Sequence, residues 1–373
     1  VFKKLLATTL IFFVILLLIA TEEPQPVQTE VELVLSPQEK QDIIRNSQPS
    51  SRATLFAAGD LLLSEEPGYW INLYGPAHPF EPLQGYFQEA DLRFANLECA
   101  ISNKGLPLAN KPYTFRASQD KVEAIQSFDI LSVANNHTLD FGEEAFLETL
   151  TLLKDNSIVP IGGGANLEEA LTPATFTING LTIGFLAYTD VNGVPFIYHQ
   201  YWQALDNKPG TLTLKDLDLQ YIEKIKKEVD ILVVSLHWGL EYAEYPTKNQ
   251  QQLAHQLIDS GVNLIIGHHP HIPQGIEIYN GGVIAYSLGN FLFGTHKVTE
   301  TIALLVSFDP LGVYQVRVLP LGIKQGQVYP LPETEGQKLL SKILMLSEPF
   351  NTKGITIKTE DSIELILNTK QTP

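Results

Sequence analysis

Residues 263–271, NLIIGHHPH, read as a short apolar strand running straight into three histidines, His268, His269 and His271. Four other stretches repeat the pattern. TLFAAGD (54–60) ends in Asp60, LRFANLE (92–98) in Glu98, DILSVANNH (129–137) in Asn136 and His137, and ILVVSLHWG (231–239) carries His237 near its end. Helical periodicity lies between these runs, so the chain reads as an α/β layered fold. In such folds the carboxyl ends of the strands line one crevice, where residues distant in sequence meet. Five strand ends with metal-type side chains therefore predict one site.

The intervening elements carry their own signals. EEAFLETLTLLKD (143–155) places Ala145, Phe146, Leu150 and Leu153 on one helical face. A second helix starts after Thr247, an N-cap residue, and stops at Gly261. Asn179-Gly180 in TFTINGLTIGFLAY and Asn280-Gly281-Gly282 in IEIYNGGVIAYSLGN mark two hairpin turns. After residue 297 the pattern changes to a terminal strand pair, TIALLVSFDPLGVYQVRVLPL, and a closing helix within QKLLSKILMLSEPF. The expected organisation is an apolar leader over 1–20, a polar Pro-bearing tether over 21–52, a core domain over 53–296 and C-terminal strands, helix and tail over 297–373.

Carboxylates, an amide oxygen and several imidazoles form a hard to borderline donor set with no thiolate or thioether. It suits one or two divalent ions, Mn, Fe, Zn or Mg. A carboxylate bridging two ions would permit two-metal hydrolysis and would neutralise an anionic substrate locally.

Six motifs in order, AAGDLLLS, ANLECAIS, VANNHTLDFG, SLHWGLEY, IIGHHPHIPQG and AYSLGNFLF, resemble the CapA family of capsule (poly-gamma-glutamate) synthesis proteins, itself related to calcineurin-like metallophosphoesterases. The resemblance implies a four-layer α/β/β/α sandwich. It implies metal ligands at Asp60, Glu98, Asn136, His237, His269 and His271, with Glu98 in a bridging place and His137 facing the substrate. His268 takes the place of a glycine and is not expected to be a ligand. The phosphoesterase pattern Asp-x-His is broken, because Leu62 stands where the histidine would be, and that leaves the number of ions open.

Other residues carry two readings each. Glu241 is an acid or base beside the site, or a surface carboxylate. Lys111 and Arg116 in KPYTFRAS are substrate anion contacts, or solvated loop residues. Asp190 and Asn290 are strand-end candidates, Asn290 as a substrate contact. Cys99 reads as a small buried apolar residue, and His78, His199, His255 and His296 as structural.

Composition bounds the function. With 373 residues, 44% hydrophobic and 18% charged, the chain buries a full core. Its 25 Lys+Arg against 42 Asp+Glu, a formal net charge of -17, argue against a nucleic-acid partner. One cysteine excludes an intramolecular disulfide and an all-cysteine zinc site. Lys3 and Lys4 before the uncharged run over 5–20 read as a secretory signal or a short membrane anchor, which predicts an extracytoplasmic location. The functional expectation is biosynthesis, export or anchoring of a polyanionic capsule polymer through a metal-dependent hydrolase-like site. A polymer-binding part of a membrane synthase complex and a secreted phosphodiesterase or nucleotidase are the alternatives.

Overall fold

The computed structural model describes residues 51–191, 194–294, 298–358 and 363–367. The apolar run over 5–20, nearly all of the tether, and His296 lie outside them. Among the described residues no helix is long and apolar enough to cross a membrane.

Two sheets face each other. In the first, the strands Ala53–Leu61, Leu92–Leu97, Ile130–Ser132 and Val159–Ile161 run parallel in that spatial order. Antiparallel to Ala53–Leu61 follow Glu300–Asp309 and then Gly312–Lys324. The second sheet has a parallel centre of Leu181–Thr189, Ile231–His237, Leu264–His268 and Gly282–Ala285, with Ala174–Ile178 and Ile276–Tyr279 as antiparallel edges. Alternation decides what each face packs against. Leu55, Ala57, Phe94 and Ile130 of the first sheet meet Ile183, Phe185, Val233 and Ile266 of the second in a shared inner core. The outer face of the first sheet, with Phe56 and Leu131, is covered by Phe80, Phe87, Phe146 and Leu150. The outer face of the second, with Leu232 and Val234, is covered by Ile222, Ile225, Leu257 and Ile258. These are the four layers, α/β/β/α, expected from the resemblance.

Helix Glu143–Asp155 buries Ala145, Phe146, Leu150 and Leu153 as its periodicity requires. Helix Lys248–Asp259 begins on a capping box between Thr247 and Gln250, which satisfies two N-terminal donors reciprocally. Both hairpins turn on two residues with positive φ, Asn179 and Gly180, and Asn280 and Gly281, the geometry that matches the right-handed twist of the strands. The segment after 297 belongs to the first sheet, since Glu300–Asp309 pairs along Ala53–Leu61. Helix Glu333–Ser347 then inserts Leu339, Leu340 and Ile343 into the inner core.

Candidate metal centre

The parallel strands of both sheets deliver their carboxyl ends to one place. Sheet one brings Asp60, Glu98, Asn136 and His137, and sheet two brings His237, His269 and His271. All seven are buried, with His271 the most exposed at 8%.

Local backbone irregularities aim these side chains. Leu92–Leu97 keeps strict alternation, so Asn96 and Glu98 share the inward face with Phe94. Ala53–Leu61 shifts register against it between Ala57 and Asp60, where Ala57 pairs with Phe94 and Asp60 with Asn96. The extra residue turns Asp60 inward, as bulges beside functional sites commonly do. Gly59 permits this bend, because a Cβ there would come 1.9 Å from the Gly289 carbonyl oxygen. On the other sheet, His269 (φ 93°) and His271 (φ 62°) occupy left-handed backbone around Pro270. That conformation costs a non-glycine residue on the order of 1 kcal/mol and persists where the surroundings enforce it.

Glu98 lies at the centre. Its Oε1 is 3.7 Å from His237 Nε2, 3.9 Å from His137 Nε2 and 4.0 Å from His271 Nε2. Neither of its carboxylate oxygens has a hydrogen-bond partner, although both are buried. Leaving an ionised carboxylate in that condition is costly unless a cation completes it. Two donors about 2.1 Å from one ion are separated by roughly 3.0–3.4 Å at octahedral or tetrahedral angles. The observed separations lie just outside this range and contract to it with small side-chain movements. Asn136 Oδ1 and His237 Nε2, 2.9 Å apart, lie at its lower edge. Two donor groups stand out, Asp60 with Glu98 and His237, and Glu98 with His269 and His271. They share Glu98, the position expected to bridge.

Supporting contacts fix the donors. Asn96 Nδ2 donates to Asp60 Oδ1 at 2.9 Å and lies 3.3 Å from His237 Nδ1. The His269 backbone N–H donates to Asp60 Oδ2 at 3.3 Å. His271 Nδ1 is 2.8 Å from Asn290 Oδ1, which holds the proton on Nδ1 and leaves Nε2 for the centre. His268 sits on the far side of Asp60, its Nδ1 3.2 Å from Oδ1 but outside hydrogen-bonding alignment. It belongs to neither donor group, in keeping with the glycine-like place it takes in the resemblance.

The electrostatics suit a cation. Burial, then the neighbouring Asp60 charge, pushes Glu98 well above the usual carboxylate range. Burial also works to raise Asp60, but His268, His271 and Asn96 outweigh it and hold Asp60 below its ordinary value. Burial and the surrounding imidazoles drive His237 well down, and burial with His271 takes His269 to about 3. His237 and His269 are thus neutral and ligand-competent at pH 7, and a divalent ion would relieve the Asp60–Glu98 repulsion.

Other expectations fare differently. Leu62, in place of the absent histidine, is packed in the outer apolar core and leaves no room for a ligand there. Lys111 does not face an open anion site: its ammonium is buried behind His137. Arg116 does not point its guanidinium at the donors either, because Nη1 donates to the Lys104 and Gly105 carbonyls and the group stacks over Phe141. Both cations are consumed in shaping the loop. Glu241 is exposed at the rim of the site. Asp190 accepts from the Gly239 N–H at 3.0 Å and fixes the turn after His237. Cys99 is buried. His78, His199 and His255 are held by Gln325, Val194 and Glu277.

Three residues escaped the sequence reading: Asn96, Asn135 and Asp140. Asn135 donates to the Leu97 carbonyl at 2.7 Å and to Asn96 Oδ1 at 3.2 Å, and accepts from the His137 N–H. Asp140 Oδ2 is 2.7 Å from His137 Nδ1. Their signals were spacing alone: Asn96 two residues before Glu98 on one strand face, and Asp140 one turn after His137.

PGA biosynthesis protein CapA of Bacillus subtilis (strain 168) is 33% identical over 240 residues, covering 63% of this chain and 62% of that protein. Capsule biosynthesis protein CapA of Bacillus anthracis is 30% identical over 254 residues, covering 65% and 60%. The chain therefore spans about three fifths of the length of these relatives. The crystal structure of a hypothetical protein from Thermus thermophilus superposes with a TM-score of 0.45 at 14% identity, covering 72% of this chain and 99% of that one. The family described as bacterial capsule synthesis protein PGA_cap matches residues 54–295. That span holds every donor of the centre, from Asp60 to His271, together with Asn290, and the chain belongs to this family.

Proposed function

We propose that this protein serves the synthesis, export or anchoring of an extracellular capsule polymer of the poly-gamma-glutamate type, through a divalent-metal site that cleaves or transfers an ester, phosphoester or amide bond. The observation that carries the metal is Glu98, a fully buried carboxylate with neither oxygen partnered and three imidazole nitrogens 3.7–4.0 Å from Oε1. The polymer comes from what the relatives are named for.

Asp60, Glu98, Asn136, His237, His269 and His271 would hold one or two ions, which supply Lewis acidity and lower the pKa of a coordinated water. His137 serves the leaving group. With Nδ1 held by Asp140, its Nε2 faces the centre, where it would take a proton from the attacking water and pass it to the departing oxygen or nitrogen. Phe115 and Phe293 pack on the His137 and His271 rings at 4.4 and 5.1 Å and keep bulk water from the imidazoles. The leader over 5–20 would keep the domain on the outer face of the membrane, beside synthase subunits.

The test is metal content and turnover on the full chain in detergent, loaded with Mn or Zn. Phosphodiesters and gamma-glutamyl polymer serve as substrates for wild type, Asp60→Asn and His137→Ala. The reading expects stoichiometric metal in wild type and His137→Ala, less in Asp60→Asn, and turnover in wild type alone. Metal without turnover of either substrate would make the protein a polymer-binding component. No stoichiometric metal after loading would remove both readings.

A further inference from the structure

Asp140 is the busiest carboxylate near the centre and none of its contacts is with a metal donor. Oδ2 accepts from the Phe115 backbone N–H at 2.8 Å and from His137 Nδ1 at 2.7 Å, and Oδ1 pairs with Lys111 Nζ at 2.8 Å. Its own carbonyl accepts from the Leu108 N–H at 2.8 Å. The Lys111 ammonium, its side chain 2% exposed, also donates to the Tyr113 carbonyl at 2.9 Å and lies 3.1 Å from His137 Nδ1.

These distances fix where the protons are. A carboxylate oxygen 2.7 Å from a ring nitrogen requires a proton between them, so Nδ1 carries it and the neutral ring keeps its lone pair on Nε2. The ammonium cannot then donate to Nδ1; it donates to the Tyr113 carbonyl and is ion-paired with Asp140 Oδ1 at 2.8 Å. A buried Lys–Asp pair is held only when its geometry is good, and removing one partner leaves the other charge uncompensated.

We propose that Lys111 and Asp140 are positioning residues that lock His137 in one tautomer and orientation, with Lys111 holding the carboxylate that holds the ring. The same carboxylate holds Lys111 and the Phe115 backbone, so the 111–115 segment and the His137 ring are set by one group. Lys111 is then a part of the apparatus behind the proton donor and not a contact for the polymer. The role in turnover rests on the function proposed above; the locking of the ring does not.

Two readouts separate them. The first is the long-range proton–nitrogen correlation of the His137 ring in the metal-free full chain in detergent, identified by its loss in His137→Ala. Wild type should show a single Nδ1–H tautomer. Asp140→Asn and Lys111→Met should show mixed or exchange-broadened tautomers. The second is hydrolysis of bis(p-nitrophenyl) phosphate with Mn. In Lys111→Met, kcat should fall about 10- to 100-fold, the loss typical of a supporting residue, with KM and bound Mn unchanged. Ethylammonium, but not tetramethylammonium, should restore part of the rate of Lys111→Ala by refilling the ammonium site.

A wild-type ring signal in both Asp140→Asn and Lys111→Met overturns the proposal. So does a Lys111→Met variant changed in KM alone, which would return Lys111 to the substrate. If wild type turns over nothing, the hydrolytic reading fails and the ring signal still decides the locking. If Lys111→Met does not fold, the isosteric Asp140→Asn decides it.

Discussion

At the scale of single residues, the centre trades stability for binding capacity. Glu98 is pushed well above its usual range by burial and by Asp60, so Glu98→Gln should leave the metal-free protein at least as stable as wild type. Its metal affinity should drop by more than the ~10–100-fold that a supporting residue costs. Calorimetric titration with Mn alongside thermal unfolding in chelator reads both; equal affinity for Mn would contradict the role assigned to Glu98. The histidines give a pH dependence of definite sign. His269 titrates at about 3 when folded, against 6.5 for an unperturbed imidazole. Between those values the unfolded chain binds a proton that the folded, metal-free protein refuses, so stability rises with pH across the window and is lost on acidification. His237 and His137, both lowered by burial, act in the same direction. Urea midpoints of metal-free protein should fall from pH 7 to pH 5, and fall less steeply in His269→Asn. A midpoint that does not move over that range would show that these imidazoles are not buried neutral. Leu62→His would not restore a ligand. The side chain lies in the outer apolar core, so the change should destabilise by about 1–3 kcal/mol and leave metal stoichiometry unaltered, measurable by elemental analysis of the loaded protein.

At the scale of elements, what was legible in the sequence is what local physics decides. The Asn-Gly turns, the Thr247 cap and the apolar face of 143–155 depend on neighbours a few residues away, and the structure has them where the sequence puts them. Removing the cap with Thr247→Ala should cost about 1 kcal/mol, seen as a lower denaturant midpoint at unchanged slope. Strand ends were legible too, since apolar runs that stop at a polar donor need no knowledge of their partners. The register shift that turns Asp60 inward was not, because it is a relation between two strands distant in sequence, Ala53–Leu61 and Leu92–Leu97. The same holds for the supporting amides. Asn96 matters because His237, from the other sheet, comes to rest beside it. Lys111 and Arg116 show a related limit: a cation in a polar loop suggests an anion from outside, and sequence does not reveal that loop carbonyls and Asp140 already partner both.

On the scale of the whole molecule, the centre sits on the seam of the sandwich. Asp60, Glu98 and Asn136 are fixed to one sheet and His237, His269 and His271 to the other, and the apolar inner core that joins the sheets stops short of them. An ion bound there ties the two halves together at their carboxyl ends. Under the function proposed above, it would also offset the net charge of -17 where a polyanion approaches. The linkage has a measurable size: a ligand of the folded state alone at 100 times its Kd contributes about 2.7 kcal/mol. Loading with Mn or Zn should therefore raise the Tm by several degrees and chelation should reverse the gain. The gain should also be local. Hydrogen exchange should slow in 133–140, 236–240 and 267–272, which carry donors from opposite sheets, while the Asn179-Gly180 turn at the other end of the second sheet should exchange as before. A rise in Tm with uniform slowing would point to a general effect of salt or ion on the fold. No rise, in protein shown to be loaded, would mean that the ion does not join the sheets.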